Sequence, residues 1–347
     1  MGKIGLKAKD LGEWKIIDII RKNTKTSTKD HLTDDCAVID FKGVYLLATS
    51  DMGFEKSDFP PFATPEQVGK IFISMTLSDI AAMGGKPIGV LTALGIPEDM
   101  EKNYIERLVK SFDKNARKFG AEIVGGDVND SEIFTICGSA IGYCEKDKCL
   151  LRSGAKIGDY IGVVDYVGDY VAAYNAFDKN LELDSASKRY LLRKLLEAEP
   201  QIEIGIEFAE SKSVNSCIDL NDGLERGLKE IAIASKKDLL VYEDKIPISK
   251  SAKKVAEKLR CSYSDMSLGF SGDLNLLVTF PKKYLKKLSD IVTSYGKDFF
   301  VIGEVIGNGN NVYISKNNKK EILKKSSYEH YKTKQLYSDP KWKNMEI

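Results

Sequence analysis

The sequence predicts an α/β (α+β) protein of two domains. Two observations carry this. The 347 residues exceed one average domain. Short apolar strand-like runs also alternate with amphipathic helical stretches in both halves, and the pattern restarts after a boundary at 146–158 that carries Arg152-Ser153-Gly154. The division is drawn at 1–150 and 151–347.

In chain order, an amphipathic helix is expected over 13–22 and a strand over 44–50. The segment 64–83 reads as a helix from its ends inward. Thr64 suits the N-cap, Pro65 the first helical position, Gln67 completes a capping box, and Gly84-Gly85 end the helix. An apolar strand over 88–95 follows, then a helix from 97 to about 119. A short strand over 121–124 runs into Gly125-Gly126-Asp127, and another strand covers 133–143. In the second half, a strand over 160–165 precedes helices near 170–178, 188–197 and 202–211. A strand over 216–218 leads through 219–223 into a helix ending near 235. A strand over 239–243, a helix over 249–259, a strand over 275–280 and a helix over 283–294 complete the pattern.

Within 64–83 one residue breaks its own pattern. Val68, Phe72 and Met75 mark an apolar stripe at i, i+4 and i+7, and Asp79 continues it at i+11. A carboxylate turned inward is costly unless a cation or several donors neutralise it. A buried Asp that ties down a loop is one reading; a metal ligand is the other.

Bulk composition narrows the function. Hydrophobic content of 43% with 30% charged residues is ordinary for a globular protein, and 52 basic against 51 acidic residues give a net charge of +1. That balance argues against nucleic acid as a partner. The lysine runs at 282–283, 286–287 and 319–325 read as solvated faces. Six cysteines form no CxxC pair, so reduced thiols are expected rather than zinc or disulfides. No apolar run approaches 18 residues and no signal-peptide core is present, so no membrane is expected and the location is read as cytoplasmic.

Acidic residues recur in short motifs beside strand ends: Thr33-Asp34-Asp35, Thr49-Ser50-Asp51, Asp79, Gly125-Gly126-Asp127 and Asp219-Leu220-Asn221-Asp222-Gly223. Alone, Asp-Gly and Gly-Gly-Asp most often mark tight turns. Together they form an oxygen-only donor set suited to Mg²⁺ carrying phosphates. Only His31 and His330 are present, which disfavours histidine-based catalysis, and neither a Walker A loop nor the protein-kinase signatures occur.

These motifs resemble, in order along nearly the whole chain, the thiamine-monophosphate kinase family of the aminoimidazole-ribonucleotide synthase superfamily, in an archaeal-type variant. The matching segments are DDCAVI (34–39), TSDMGFEKSDFP (49–60), MTLSDIAAMGGKPIGVLTALGIPED (75–99), GGD (125–127), LRSGAKIGD (151–159), CIDLNDGL (217–224), LLVTF (276–280) and IGEV (302–305). The resemblance implies a homodimer whose N-terminal domains (1–150) pair into a barrel and bind ATP and Mg²⁺. The C-terminal α/β layered domain (151–347) would close over the substrate. The implied reaction is ATP-dependent phosphorylation of thiamine phosphate to thiamine diphosphate.

Carried over residue by residue, Asp35, Asp51, Asp79, Asp127, Asp219 and Asp222 match magnesium ligands, with Thr49 and Ser50 as hydroxyl ligands. Gly126, Asp127, Arg152 and Asn221 match nucleotide contacts, and Asp222 and Arg152 match residues at the transferred phosphate. The departures lie on the acceptor side. Asp58 stands where many bacterial members have a substrate histidine, and Gly272 stands where a substrate-contacting glutamate is expected; Asp58 or Asp273 is a candidate to replace that glutamate. Tyr328 falls in a segment loosely similar to the family's closing aromatic one. Two alternatives stay open: a superfamily paralogue with another small acceptor, and a non-catalytic Mg–ATP-binding accessory protein.

Overall fold

A computed structural model describes residues 6–24, 33–269, 272–317 and 319–323. Tyr328 lies outside the described residues. The N-terminal half begins with helices α1 (Ala8–Leu11) and α2 (Glu13–Asn23), followed by strands β1 (Ala37–Phe41) and β2 (Val44–Phe54). Helix α3 (Pro65–Ala82), strand β3 (Lys86–Ile96), helix α4 (Lys102–Lys118) and strands β4 (Glu122–Asp130) and β5 (Thr135–Glu145) complete it. The strands form one sheet in the order β1-β2-β5-β3-β4, with β3–β4 parallel and the other pairs antiparallel.

This corrects the expected barrel. Among the described residues the sheet is open and not curled into closure, with β1 and β4 as its two edges. The two-domain α/β architecture itself holds.

The second half runs β6 (Tyr160–Val164), α5 (Asp169–Asp178), α6 (Ser185–Leu196), α7 (Ile202–Ser211), β7 (Ser216–Asp219), α8 (Leu224–Ser235) and β8 (Lys237–Tyr242). It continues through α9 (Lys250–Leu259), α10 (Tyr263–Leu268), β9 (Leu276–Phe280), α11 (Leu285–Ser294), β10 (Phe299–Asn308), β11 (Val312–Lys316) and β12 (Lys319–Ile322). Seven strands form its sheet in the order β12-β11-β8-β10-β6-β9-β7. No helix among the described residues is long and apolar enough to cross a membrane.

Helix α3 organises the molecule. The capping box forms as its sequence predicts: Thr64 Oγ1 accepts from the Gln67 amide at 3.3 Å, and Gln67 Oε1 accepts from the Thr64 amide at 2.9 Å. The single apolar stripe understates its environment, because residues on every face are buried, including Val68, Ile71, Ile73, Leu77 and Ile80. The N-terminal sheet and α4 cover two faces, and α7 and β7 of the second half cover another. Gly205 makes the α7 contact possible. A β-carbon there would sit 2.1 Å from the Ala81 carbonyl oxygen. The long buried helix thus carries Ser78 and Asp79 to the junction of the two halves.

Candidate functional site

Four elements converge at that junction. The turn before β1 supplies Asp34 and Asp35, strand β2 supplies Thr49 and Asp51, α3 supplies Ser78 and Asp79, and the C-terminal end of β7 supplies Asp219. Carboxylate oxygens of Asp35, Asp79 and Asp219 lie within 4.8 Å of one another. Thr49 Oγ1 donates to Asp79 Oδ2, and Ser78 Oγ donates to Asp219 Oδ2 at 2.5 Å. Three acids from both halves of the chain therefore meet at one point.

The electrostatics are those of buried acids crowded together. Burial pushes the Asp219 carboxyl up to about 8; Asp35 adds to this, while the Ser78 hydrogen bond opposes it. Burial, then the neighbouring Asp222, Asp58 and Asp35, raise Asp51 to about 6. Asp79 is held well above the usual carboxylate range by burial, followed by Asp51, Asp219 and Asp35. Asp35 is also raised by burial, against the lowering effect of Arg152.

Arg152 reaches this cluster from the start of the second half. Its Nη2 donates to Asp35 Oδ1 at 2.7 Å and its Nη1 to the Thr33 carbonyl at 3.0 Å; Glu230 lies 3.4 Å from Nη1. Its backbone amide donates to Asp34 Oδ1 at 2.6 Å. Gly154 lets this segment lie flat against the chain before β7, since a β-carbon there would meet the Asn215 carbonyl oxygen at 2.3 Å. The Arg-Ser-Gly motif is therefore a docking element that aims one guanidinium at Asp35.

The donor set fits a hard divalent cation on an observation independent of any motif. Asp35 Oδ2 and Asp51 Oδ2 are buried with no hydrogen-bond partner, and the Asp35 side chain has no exposed surface. Buried carboxylate oxygens left this way are expensive unless a cation takes them.

Other sequence-selected residues are distributed differently. Ser50 lies between Thr49 and Asp51 on β2, so strand alternation turns it to the opposite face, where its hydroxyl meets Ser139 Oγ at 3.0 Å. Gly126 and Asp127 are not in a turn. They lie within edge strand β4, paired with Thr92 and Ala93 beyond a bulge. Gly126 is required there, as a β-carbon would approach the Thr92 oxygen to 1.8 Å. The paired rows run Asp51–Gly138–Thr92–Gly126 and Met52–Cys137–Ala93–Asp127. Asp127 thus shares the outer face with Met52, three strands from the acids. Asn221 and exposed Asp222 sit between β7 and α8. Asp222 is close enough to raise Asp35, Asp51 and Asp219.

Of the residues that the resemblance assigns to an acceptor, Asp58 Oδ2 accepts from the Phe54 amide and Ser57 Oγ, both at 2.8 Å. Asp273 accepts from the amides of Gly168 at 2.7 Å and Tyr170 at 2.9 Å. Gly272 packs against the Tyr170 ring. Sequence reasoning missed Ser78 and Glu230, although Ser78 is inside the LSDIAAM segment, one residue from Asp79; Asp34 was read only as part of an acidic motif, not as the acceptor of the Arg152 amide.

Residues 33–144 and 156–316 match the families described as AIR synthase related protein, N-terminal domain and C-terminal domain. Fold and site together thus define an AIR synthase related protein. A thiamine-monophosphate kinase of Pyrococcus horikoshii is 34% identical over 315 residues, 91% of this chain and 96% of that one. A thiamine-monophosphate kinase of Methanocaldococcus jannaschii is 29% identical over 86% of this chain and 95% of its own length. Among solved structures, AaThiL complexed with AMPPCP and TMP superposes with a TM-score of 0.83 at 28% identity, over 94% of this chain and all of that one. The thiamine monophosphate kinase from Aquifex aeolicus gives 0.77 at 27%, over 91% of this chain and 99% of its own. The chain belongs to the thiamine-monophosphate kinase family.

Proposed function

We propose that the protein transfers the γ-phosphoryl group of ATP to the phosphate of thiamine monophosphate, giving thiamine diphosphate and ADP. One observation carries the reading: carboxylates from both halves of the chain converge within 4.8 Å, with buried Oδ2 atoms of Asp35 and Asp51 left without partners. The similarity to a kinase structure complexed with AMPPCP and TMP supplies the two substrates.

In this reading Asp35, Asp51, Asp79 and Asp219 hold Mg²⁺, with Thr49 orienting Asp79 and Asp222 at the rim. Magnesium, when bound, neutralises phosphate oxygens and aligns donor and acceptor. Arg152 would donate charge-assisted hydrogen bonds to the donor phosphates, and Asn221 is the second proposed nucleotide contact. The acceptor needs no general base, because its second phosphate pKa of about 6 leaves it mostly an anion at neutral pH. An acceptor oxygen forms the new bond to the γ-phosphorus as the bond to the β,γ-bridging oxygen breaks, and that electron pair leaves with ADP. The residues contribute position and charge, which suits a chain with two histidines.

The segments 1–150 and 151–347 are read as the ATP and Mg²⁺ domain and the domain that closes over the substrate. A homodimer is the proposed assembly, with no nucleic-acid partner. The outer face of the N-terminal sheet exposes Ile39, Phe41, Met52 and Leu91, with Met52 at 56%, an apolar patch that suits a second copy. Six free thiols support a reducing, cytoplasmic setting. The test is direct: protein, Mg²⁺, ATP and thiamine monophosphate should give thiamine diphosphate and ADP in a one-to-one ratio. ADP formed at the same rate without the acceptor would refute the reading.

A further inference from the structure

Helix α8 carries an ion-pair relay that the function above does not use. Arg226 and Glu230 stand one turn apart on it, and Arg226 Nη2 lies 2.6 Å from Glu230 Oε1. The other oxygen of that carboxylate, Oε2, lies 3.4 Å from Arg152 Nη1. Among the described residues Glu230 is thus held between two arginines, one to each oxygen. From behind, the Arg226 guanidinium lies over the Trp14 ring of α2, 3.0 Å from its centre. The side chains of Arg152, Glu230 and Arg226 are only 18%, 15% and 17% exposed, so salt screens these pairs little.

The backbone around Arg152 is fixed by other groups. Ser235, at the end of α8, donates to the Arg152 carbonyl at 3.2 Å and accepts from the Ala155 amide at 3.1 Å, while Asp34 takes the Arg152 amide. Glu230 acts on the guanidinium instead. That group is shared between two acids: Nη2 and Nε lie 2.7 and 3.2 Å from Asp35 Oδ1, and Nη1 faces Glu230.

A cation that takes the unpartnered Asp35 Oδ2 shares one carboxylate with Arg152. Two positive charges on one small anion repel, and more strongly where water is excluded. A second acid across the guanidinium offsets that repulsion. Resting on the Mg²⁺ reading above, we infer that Glu230 is a positioning residue for the metal: it holds the Arg152 guanidinium and shares its charge, which leaves Asp35 able to bind Mg²⁺. Arg226 and Trp14 keep Glu230 in place.

Calorimetric titration of Mg²⁺ into the full chain, arranged as a double-mutant cycle, tests this. Glu230→Gln should weaken Mg²⁺ binding about fivefold, and in an Arg152→Gln background the same change should alter it less than about twofold. Glu230→Asp, which keeps the charge, should fall between wild type and Glu230→Gln. Arg226→Gln gives a second reading that leaves Arg152 intact. It releases Glu230 toward Arg152 and should tighten Mg²⁺ binding, an effect that Glu230→Gln should abolish. Equal weakening by Glu230→Gln with and without Arg152 would show an acid acting through its charge alone, and would overturn the inference. Unchanged affinity in Glu230→Gln would overturn it as well. The coupling found in a protein that forms no thiamine diphosphate would support the inference and refute the proposed function. No Mg²⁺ binding by the wild type, alone or with a non-hydrolysable ATP analogue, would refute both.

Discussion

Ser78 and Asp219, 141 residues apart, share a buried hydrogen bond of 2.5 Å that ties α3 of the first half to the end of β7 in the second. The hydroxyl fixes one oxygen of an acid whose carboxylate lies within 4.8 Å of those of Asp35 and Asp79. Ser78→Ala leaves that acid less constrained and with one donor fewer. Without metal Asp219, pushed up to about 8, is mostly protonated at neutral pH, and a hydrogen bond between neutral groups contributes about 0.5–1.5 kcal/mol. The variant is expected to lose stability in that range at neutral pH and to bind Mg²⁺–nucleotide several-fold more weakly. Chemical denaturation and calorimetry check both.

Asp79→Asn removes a carboxylate from a cluster whose members raise one another's pKa. Without metal, the variant should melt above the wild type, because repulsion among buried acids is relieved. With Mg²⁺ it should lose magnesium-dependent ATP binding by two orders of magnitude or more. A variant that binds Mg²⁺–ATP like wild type would show that Asp79 is not a ligand.

The raised carboxyls set the pH dependence. Asp51 titrates near 6 and Asp219 near 8 in the folded protein, against an ordinary 3.8 once unfolded. The folded state therefore binds more protons, so the stabilisation is full below the unfolded value and is lost as pH rises through about 6 and then 8. In a chelator the melting temperature should fall between pH 5 and 8.5. Saturating Mg²⁺ should reduce that fall, and its binding should release protons, visible as a buffer-dependent enthalpy.

Gly205→Ala tests the packing that builds the site. The added methyl would meet the Ala81 carbonyl at 2.1 Å, so α7 must move away from α3. Overpacking of this kind costs about 1–3 kcal/mol, at times more. A thermal melt should show the loss, and magnesium-dependent nucleotide binding should weaken with it, since Ser78 and Asp219 separate.

Much of this was legible in the sequence, and particular residues show why the rest was not. Helix α3 was readable from its cap to its end because Thr64, Pro65, Gln67 and Gly84 signal locally. Asp79 was readable as a polar residue on an apolar stripe. The side chain of Ser50 could have been excluded by alternation alone, since Thr49 and Asp51 share the other face of β2. Gly125-Gly126-Asp127 was missed as a strand because a bulge and two glycines imitate a turn. Strand β10 was missed although it is central: bulges near Gly303 and Gly307 break its alternation. The closed barrel was an expectation from the family, and the sheet of one chain is open. Nothing local in the sequence links Gly272 to Tyr170, 102 positions apart, because their contact exists only once the chain before β9 packs on α5.

The most direct measurement follows the γ-phosphate of labelled ATP in wild type and Asp79→Asn, with Mg²⁺ and thiamine monophosphate present. Label should appear in thiamine diphosphate with the wild-type protein, depend on Mg²⁺, and be lost in Asp79→Asn while the variant stays folded. Label released only as inorganic phosphate, or transfer that persists undiminished in Asp79→Asn, would contradict an acidic cluster that aligns ATP with a phosphate acceptor.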